Sequence, residues 1–268
     1  MTAPGDKAGF RQAVTRLWSE RRYDEAASLA RRRLAATPED PDAHQALCHS
    51  LASVGRIDEA VTAGRQGVAL DPGSLGARHV LAEALTLGAR LDEAVEVYDD
   101  ALRLRPDDAA TAALKASVLT MSRRYPESRA LLTPHLAAEA PDARVIVAFA
   151  DLAPALNEEP AAIDLLRRTV ERTDLHPQHL SQCLFRLGRL LDRADDHDAA
   201  FAAYERANHT VQTSYRHRER TELVDDLIEA WNPRTMRRAA RFGSGSRQPV
   251  IIIKMPRSGS TLVEQILA

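Results

Sequence analysis

The sequence repeats with a period of 34 residues. A four-residue motif, Tyr, Ile or Leu followed by Asp-Glu-Ala, ends at Ala26, Ala60 and Ala94. Ser128 and Ala162 continue the same spacing. Prolines keep this register, 12 residues after each of the first three alanines, at Pro38, Pro72 and Pro106. A period of this length indicates that the chain folds as stacked copies of one small unit.

Each unit has the pattern of two helices that touch through small residues. The small residues on the first helices are Cys48, Ala82, Ala116, Ala150 and Gly188, and their partners on the second helices are Ala60, Ala94, Ser128, Ala162 and Ala200. Apolar side chains at a second repeated position are Leu17, Leu51, Leu85, Leu119 and Leu191. The proline after each second helix ends it, because its ring cannot continue a helix. One pair cannot bury its apolar face alone, so neighbouring pairs are expected to stack into a superhelix.

This pattern resembles the tetratricopeptide repeat (TPR), a helix–turn–helix unit of about 34 residues. The resemblance covers Lys7 to Ser214 and implies an all-α superhelix of about six helix pairs. The predicted units are residues 7–40, 41–74, 75–108, 109–142, 143–176 and 181–214, with an insertion of four residues before unit six. Unit five has Pro154 inside its first helix, and we expect this proline to kink the helix or to end it early.

Three further segments follow the repeats. Residues 215–242 contain one long helical pattern, which predicts a capping helix and a connector. Residues 243–248 include Gly-Ser-Gly-Ser and are predicted to be a flexible linker. Residues 249–268 begin a different pattern, in which an apolar run leads through a polar loop to a second apolar run.

Composition limits the class of partner and the compartment. Charged residues are 28% of the chain, yet the net charge is only −2, so no global field attracts nucleic acid or an anionic membrane. No run of apolar residues approaches the roughly 18 that a membrane-spanning helix requires. Cys48 and Cys183 match no ligand spacing and are predicted to be buried, which favours a cytoplasmic location. His176, His179, His209 and His217 show no metal-binding spacing, and no metal is expected.

The TPR resemblance also implies a concave surface lined by the first helices. The polar residues predicted to face this groove are Gln45, His49, His79, Glu83, Asp151 and Arg189. Their functional interpretation is recognition of a protein or a peptide segment. The alternative is that each is ordinary solvated surface, since exposed polar residues are the default.

The last twenty residues predict a strand, a tight loop and a helix. Residues 250–253 are apolar and β-branched, and Leu262 opens an apolar helical run. Between them, Gly259 allows backbone to approach an anion closely, and Arg257 offers a planar charged fork for phosphate or sulfate oxygens. The loop lacks the lysine of a Walker A motif, which disfavours hydrolysis of nucleoside triphosphates. An ordinary strand–turn–helix junction with an N-capping serine is the alternative interpretation.

This segment is similar to the start of a sulfotransferase domain, as found in bacterial TPR-containing sulfotransferases related to protein-tyrosine sulfotransferases. The resemblance implies the P-loop-like α/β fold and the cofactor 3′-phosphoadenosine 5′-phosphosulfate (PAPS). The family's phosphosulfate-binding loop maps onto Arg257, Ser258, Gly259, Ser260 and Thr261. Arg257 is also the predicted catalytic residue, since its charge would stabilise the leaving phosphate. Lys254 departs from the family, which usually has glycine there.

The sequence is therefore compatible with two functions. The first is the N-terminal part of a sulfotransferase that transfers a sulfuryl group to a hydroxyl acceptor such as a protein tyrosine, with the repeats binding protein. The family's base and 3′-phosphate site come later in the domain, so we expect this chain alone to be inactive. The second is a non-catalytic TPR scaffold for protein–protein interaction.

Overall fold

The computed structural model describes residues 7–210, 217–230, 232 and 234–235. These residues form α-helices and contain no strand. The helices are α1 Lys7–Ser19, α2 Tyr23–Ala36, α3 Pro41–Ser53, α4 Ile57–Leu70, α5 Leu75–Leu87, α6 Leu91–Leu104, α7 Ala109–Met121, α8 Tyr125–Leu136, α9 Ala143–Leu156, α10 Glu159–Thr169, α11 Pro177–Arg193, α12 His197–Thr210 and α13 His217–Ala230. The prediction of an all-α superhelix is confirmed. The strand, loop and helix predicted at 249–268 lie outside the described residues.

The turn inside each pair repeats one backbone conformation. The residue two positions before each second helix has a positive φ. These residues are Arg21, Gly55, Ala89, Arg123, Asn157 and Asp195. The first five are 34 residues apart, and the last follows after 38. Only Gly55 is a glycine, although side chains other than glycine are strained in this left-handed region. The 34-residue period of the sequence is therefore also a period of backbone geometry.

The first helices begin at capping residues with the same spacing. Asp40, Ser74, Asp108, Asp142 and His176 each accept a hydrogen bond from a backbone N–H of the first turn. His176 still fits the 34-residue step, so the insertion comes after it. Residues 177–180, which the predicted unit boundaries leave out, form the first turn of α11. This helix has 17 residues, against 13 in α3, α5 and α7.

The small residues lie at the predicted helix contacts. Cys48, Ala82, Ala116 and Ala150 on the first helices have no exposed surface. In unit six the contact leaves no room for a side chain, because a Cβ built on Gly188 would lie 2.7 Å from Cε1 of Tyr204. The repeated leucines are buried as well, with exposed fractions between 1% and 8%. The core is thus built from small-residue contacts and leucines in three clusters along the stack rather than in one thick centre.

First helices of neighbouring units pack against each other more than second helices do. Neighbouring first helices pack closely in the pairs α3–α5, α7–α9 and α9–α11, whereas no pair of second helices among the described residues packs to this extent. Long side chains bridge the second helices instead, as in the ion pairs Arg31–Glu59 at 3.4 Å and Arg65–Glu93 at 2.8 Å. The first helices therefore line the concave face.

Pro154 does not end α9, which continues to Leu156 and stops at Asn157 in a left-handed C-cap. The ring has no N–H to donate to the carbonyl of Ala150, four residues earlier. Nη2 of Arg189 lies 3.5 Å from that carbonyl oxygen and occupies the place of the missing donor. The helix accommodates the proline because Arg189 of the next unit contacts the carbonyl oxygen that the proline leaves without a backbone donor.

The chain divides into two units by its internal contacts, Met1–Gln212 and Thr213–Ala268. The first contains α1 to α12. The second contains α13, on which Val224 and Ile228 are 50% and 66% exposed. The capping role assigned to this segment from the sequence stays a prediction, and residues 243–248 lie outside the described part of the chain.

Candidate functional site

Five residues occupy one equivalent position along the concave face. We call them the groove row: His49, Glu83, Ser117, Asp151 and Arg189, one each from α3, α5, α7, α9 and α11. Successive members are 34 residues apart, except that Arg189 follows Asp151 by 38 because of the extra turn in α11. The row gives the groove a defined order of side chains from unit two to unit six.

At the unit-two end, an aromatic side chain orients a histidine toward a carboxylate. Nδ1 of His49 lies 3.3 Å from Oε2 of Glu83, and the ring of Trp18 packs edge-on against the imidazole with centroids 4.6 Å apart. Trp18 is itself fixed, because its indole N–H donates to Ser50 at 2.9 Å. The Glu83 side chain remains 50% exposed. This end therefore presents an accessible carboxylate with one weak partner.

Between units three and four, a histidine bridges α5 and α7. Nε2 of His79 lies 2.7 Å from Oγ1 of Thr111, whose hydroxyl donates to Asp108 at 2.7 Å. Burial lowers the pKa of His79, and the charge of Asp108, which acts in the opposite direction, does not compensate. His79 is therefore neutral at neutral pH and donates from Nε2 to Thr111. Its role is to join two first helices.

At the unit-six end, two guanidinium groups share one carboxylate. Arg189 bonds to Oδ1 of Asp151 at 2.5 Å, and Arg186 bonds to Oδ2 at 3.2 Å. The Arg186 and Arg189 side chains are 34% and 48% exposed. Two positive charges against one negative charge leave a local excess of one. This end presents N–H donors that the described residues do not use up, since each guanidinium has five.

The centre of the groove is apolar. Ser117 is the uncharged member of the groove row, and Leu114 and Met121 lie three residues before and four residues after it, on the same face of α7. Leu114 is 40% exposed and Met121 is 59% exposed. Leu87 holds the position of Met121 in the preceding unit and is 58% exposed. An apolar patch therefore lies between the two charged ends.

A family model described as tetratricopeptide repeat matches residues 51–118, within units two to four. Residues 51–118 therefore contain tetratricopeptide repeats. A stretch of 85 residues is 36% identical to a protein of Aquifex aeolicus (strain VF5) described as uncharacterized. The match takes in 31% of this chain and 11% of that relative, so the chain spans about a tenth of the relative's length.

Solved TPR structures share the fold. A thermophilic TPR protein of Thermus thermophilus is 23% identical with a TM-score of 0.55, covering 72% of this chain and 98% of its own. PilF of Pseudomonas aeruginosa is 17% identical with a TM-score of 0.56, covering 80% and 96%. A tetratricopeptide repeat protein from Parabacteroides merdae is 13% identical with a TM-score of 0.61, covering 84% and 85%. At these identities the likeness shows the fold alone.

The residues predicted to face the TPR groove lie on the first helices. His49 pairs with Glu83, Asp151 pairs with Arg189, and His79 contacts Thr111. Gln45 lies beside Gly76 of the next unit, where an added Cβ would be 3.0 Å from its Nε2. The sequence interpretation missed Trp18, Arg186, Leu114 and Met121. The 34-residue spacing of Leu87 and Met121 was a usable signal for the apolar patch.

The predicted cofactor loop, Arg257, Ser258, Gly259, Ser260 and Thr261, lies outside the described residues. Within residues 7–210 and 217–230, no three His, Cys, Asp or Glu side chains come together as a metal site. His176 caps α11 and His209 contacts the carbonyl of Glu205 at 2.8 Å. No helix in the described part of the chain has the length and apolar content to span a bilayer.

Proposed function

We propose that the repeats form a protein-interaction scaffold that binds a polypeptide segment in the concave groove. The observation that carries this proposal is the groove row. Five consecutive first helices place side chains at one equivalent position, and exposed apolar residues lie between charged ends. A surface with these properties suits an extended ligand that contacts several units at once.

The chemistry of the described residues favours recognition over catalysis. Burial raises the pKa of Cys48 to about 12 and that of Cys183 to about 11, which removes both thiols as nucleophiles at neutral pH. His79 is neutral and engaged with Thr111. The polar groups of the groove pair across units, as expected for residues that fix the shape of a binding surface.

Photo-crosslinking tests this proposal. A photoreactive phenylalanine analogue placed at Met121, in the groove, is expected to trap a protein partner from extracts of the source organism. The same analogue at Phe201 is the matched control, since that residue is 69% exposed but lies on a second helix, α12. Equal labelling from both positions, or no labelling from Met121, would contradict the proposal.

A second candidate function is sulfuryl transfer from PAPS to a hydroxyl acceptor, with the repeats selecting the acceptor protein. It rests on the sequence of Arg257 to Thr261 and its resemblance to a phosphosulfate-binding loop. None of the relatives named above is described as a sulfotransferase. Calorimetric titration with adenosine 3′,5′-bisphosphate tests it: because the family's 3′-phosphate site comes later in the domain, weak binding through the 5′-phosphate is expected, and Arg257→Ala should abolish it. Unchanged binding by the variant would exclude the assigned loop.

A further inference from the structure

We infer that the ligand of the groove is a polypeptide segment with apolar residues at its centre and an Asp or Glu carboxylate on one side of them, bound with that carboxylate at unit six. This inference rests on the proposed scaffold function and specifies the chemistry and the direction of its ligand.

The apolar requirement comes from α7 and its neighbour α5. Leu114 and Met121 flank Ser117 on one helix face, and Leu87 holds the position of Met121 one unit earlier. Exposed apolar side chains that recur at equivalent positions of neighbouring units suit apolar contacts with one extended ligand. The helices α5 and α7 also pack less closely than α3–α5 or α7–α9. A pair of aliphatic or aromatic ligand side chains fits here.

The carboxylate requirement comes from unit six. Asp151 receives both Arg186 and Arg189, and one charge of the pair remains uncompensated. The other contact of Arg189 is the Ala150 carbonyl, 3.5 Å away, which carries no net charge. Guanidinium groups bind carboxylates through two parallel N–H donors. A ligand carboxylate beside the two arginines would balance the local charge, whereas a ligand lysine would be repelled.

The direction follows from the opposite end. Glu83 is half exposed, and its contact with His49 is long, at 3.3 Å. A ligand carboxylate at units two and three would meet this negative charge, whereas one at unit six meets the arginines. The two ends of the groove therefore differ in charge, and this difference sets the direction of the ligand.

Selection from a displayed library of random peptides, using the full chain as bait, tests the inference. Enriched peptides are expected to combine two apolar residues with an Asp or Glu on one side. The double variant Arg186→Glu and Arg189→Glu is expected to enrich Lys or Arg at that position. For the best peptide, Arg189→Ala and Met121→Asp should each weaken binding by on the order of tenfold in fluorescence anisotropy, the loss of one charge-assisted bond or one apolar contact.

Two controls separate binding from folding. Arg206→Ala removes a guanidinium that pairs with Glu171 at 2.7 Å on the second-helix side, and it should leave the affinity unchanged. Arg189→Lys keeps the charge and should lose less affinity than Arg189→Ala, and far-ultraviolet circular dichroism should show native helix content for each variant.

The outcomes separate this inference from the scaffold proposal. Peptides that depend on Met121 but carry no acidic residue would overturn the ligand chemistry and keep the scaffold function. Tenfold tighter binding of a phosphoserine peptide than of its glutamate counterpart would overturn the carboxylate assignment. Both the ligand chemistry and the scaffold function would be overturned if peptide affinity fell in Arg206→Ala but not in the groove variants. They would also be overturned if the library yielded no enriched peptide.

Discussion

Arg33 and Asp40 form an ion pair almost closed to solvent, with side chains 8% and 1% exposed. The guanidinium also lies 4.7 Å from the ring centroid of Phe10, and Asp40 accepts a hydrogen bond from the backbone N–H of Asp42 as the cap of α3. One carboxylate thereby joins the end of unit one to the start of unit two.

Replacing Asp40 by Asn should destabilise the N-terminal units by about 3 kcal/mol at pH 7, because it leaves a buried guanidinium without its counter-ion. Burial opposes ionisation of Asp40, but the bonds from Arg33 outweigh it and hold the pKa below its usual range. The stabilisation is therefore present above the unfolded-state pKa of about 3.9 and is lost as pH falls through the lower folded-state pKa. The stabilities of wild type and variant should converge there, as measured by urea unfolding followed by tryptophan fluorescence.

The control for this substitution is Asp108→Asn. Asp108 caps α7 in the same way and bonds to Thr111 rather than to a buried arginine. Asn is as good a cap as Asp, so the change should cost less than about 1 kcal/mol. Equal losses for the two variants would show that the cap, and not the ion pair, is responsible.

Ala89→Gly should stabilise unit three by about 0.5–1 kcal/mol. Ala89 has φ 56°, where its Cβ is strained, and glycine relieves that strain at a smaller entropic cost. The reverse change, Gly55→Ala, should destabilise by about 1 kcal/mol at the same position of unit two, where φ is 79° and no heavy atom lies within 4 Å of the added Cβ. Thermal unfolding of the two variants checks the pair, and shifts of the same sign would refute the backbone explanation.

Gly188→Ala should destabilise unit six by about 1–3 kcal/mol, the usual cost of forcing an extra methyl into a packed contact. The new Cβ would lie within 2.7–2.9 Å of three ring atoms of Tyr204. Gly73→Ala is the matched control, because its nearest neighbour, Oδ1 of Asp71, is 3.5 Å away. Hydrogen exchange of α11 and α12 amides would detect the difference, and undiminished protection in Gly188→Ala would contradict the packing.

Cys48 and Cys183 should not react with a chromogenic disulfide reagent at pH 8 in the native protein. Burial raises the pKa of both thiols, to about 12 and about 11, so few thiolates form. Addition of denaturant should release both at the rate of unfolding. Cys48→Ser and Cys183→Ser variants assign the two signals, and rapid reaction of either thiol without denaturant would place it at the surface.

The fold could be predicted from the sequence because each packing contact recurs at a fixed interval. Cys48 and Ala82 have no exposed surface at the positions where the period requires small residues. The sequence could not predict that α9 continues past Pro154. It does not show that Arg189 approaches the carbonyl of Ala150, which the proline leaves without a backbone donor. The period predicts which residues lie inside, but not which long side chains reach across units.

The groove was partly predictable for the same reason. Glu83 and Asp151 follow from helical face and period. Their partners depend on distances between helices, and the Asp151–Arg189 pair is also offset by four residues, so a search at 34-residue spacing misses it. Trp18 was missed because its contribution is to orient His49, which only the packed geometry reveals.

The extra turn of α11 limits how an array of this kind can change in length. Four residues rotate a helix by about 400°, so the side chains beyond them return to within about 40° of their former direction, about 6 Å further along the axis. Arg189 therefore still faces Asp151. An insertion of two residues would rotate it by about 200° and direct the guanidinium into the apolar interior. Insertions within the first helices are therefore tolerated when their length is close to whole turns.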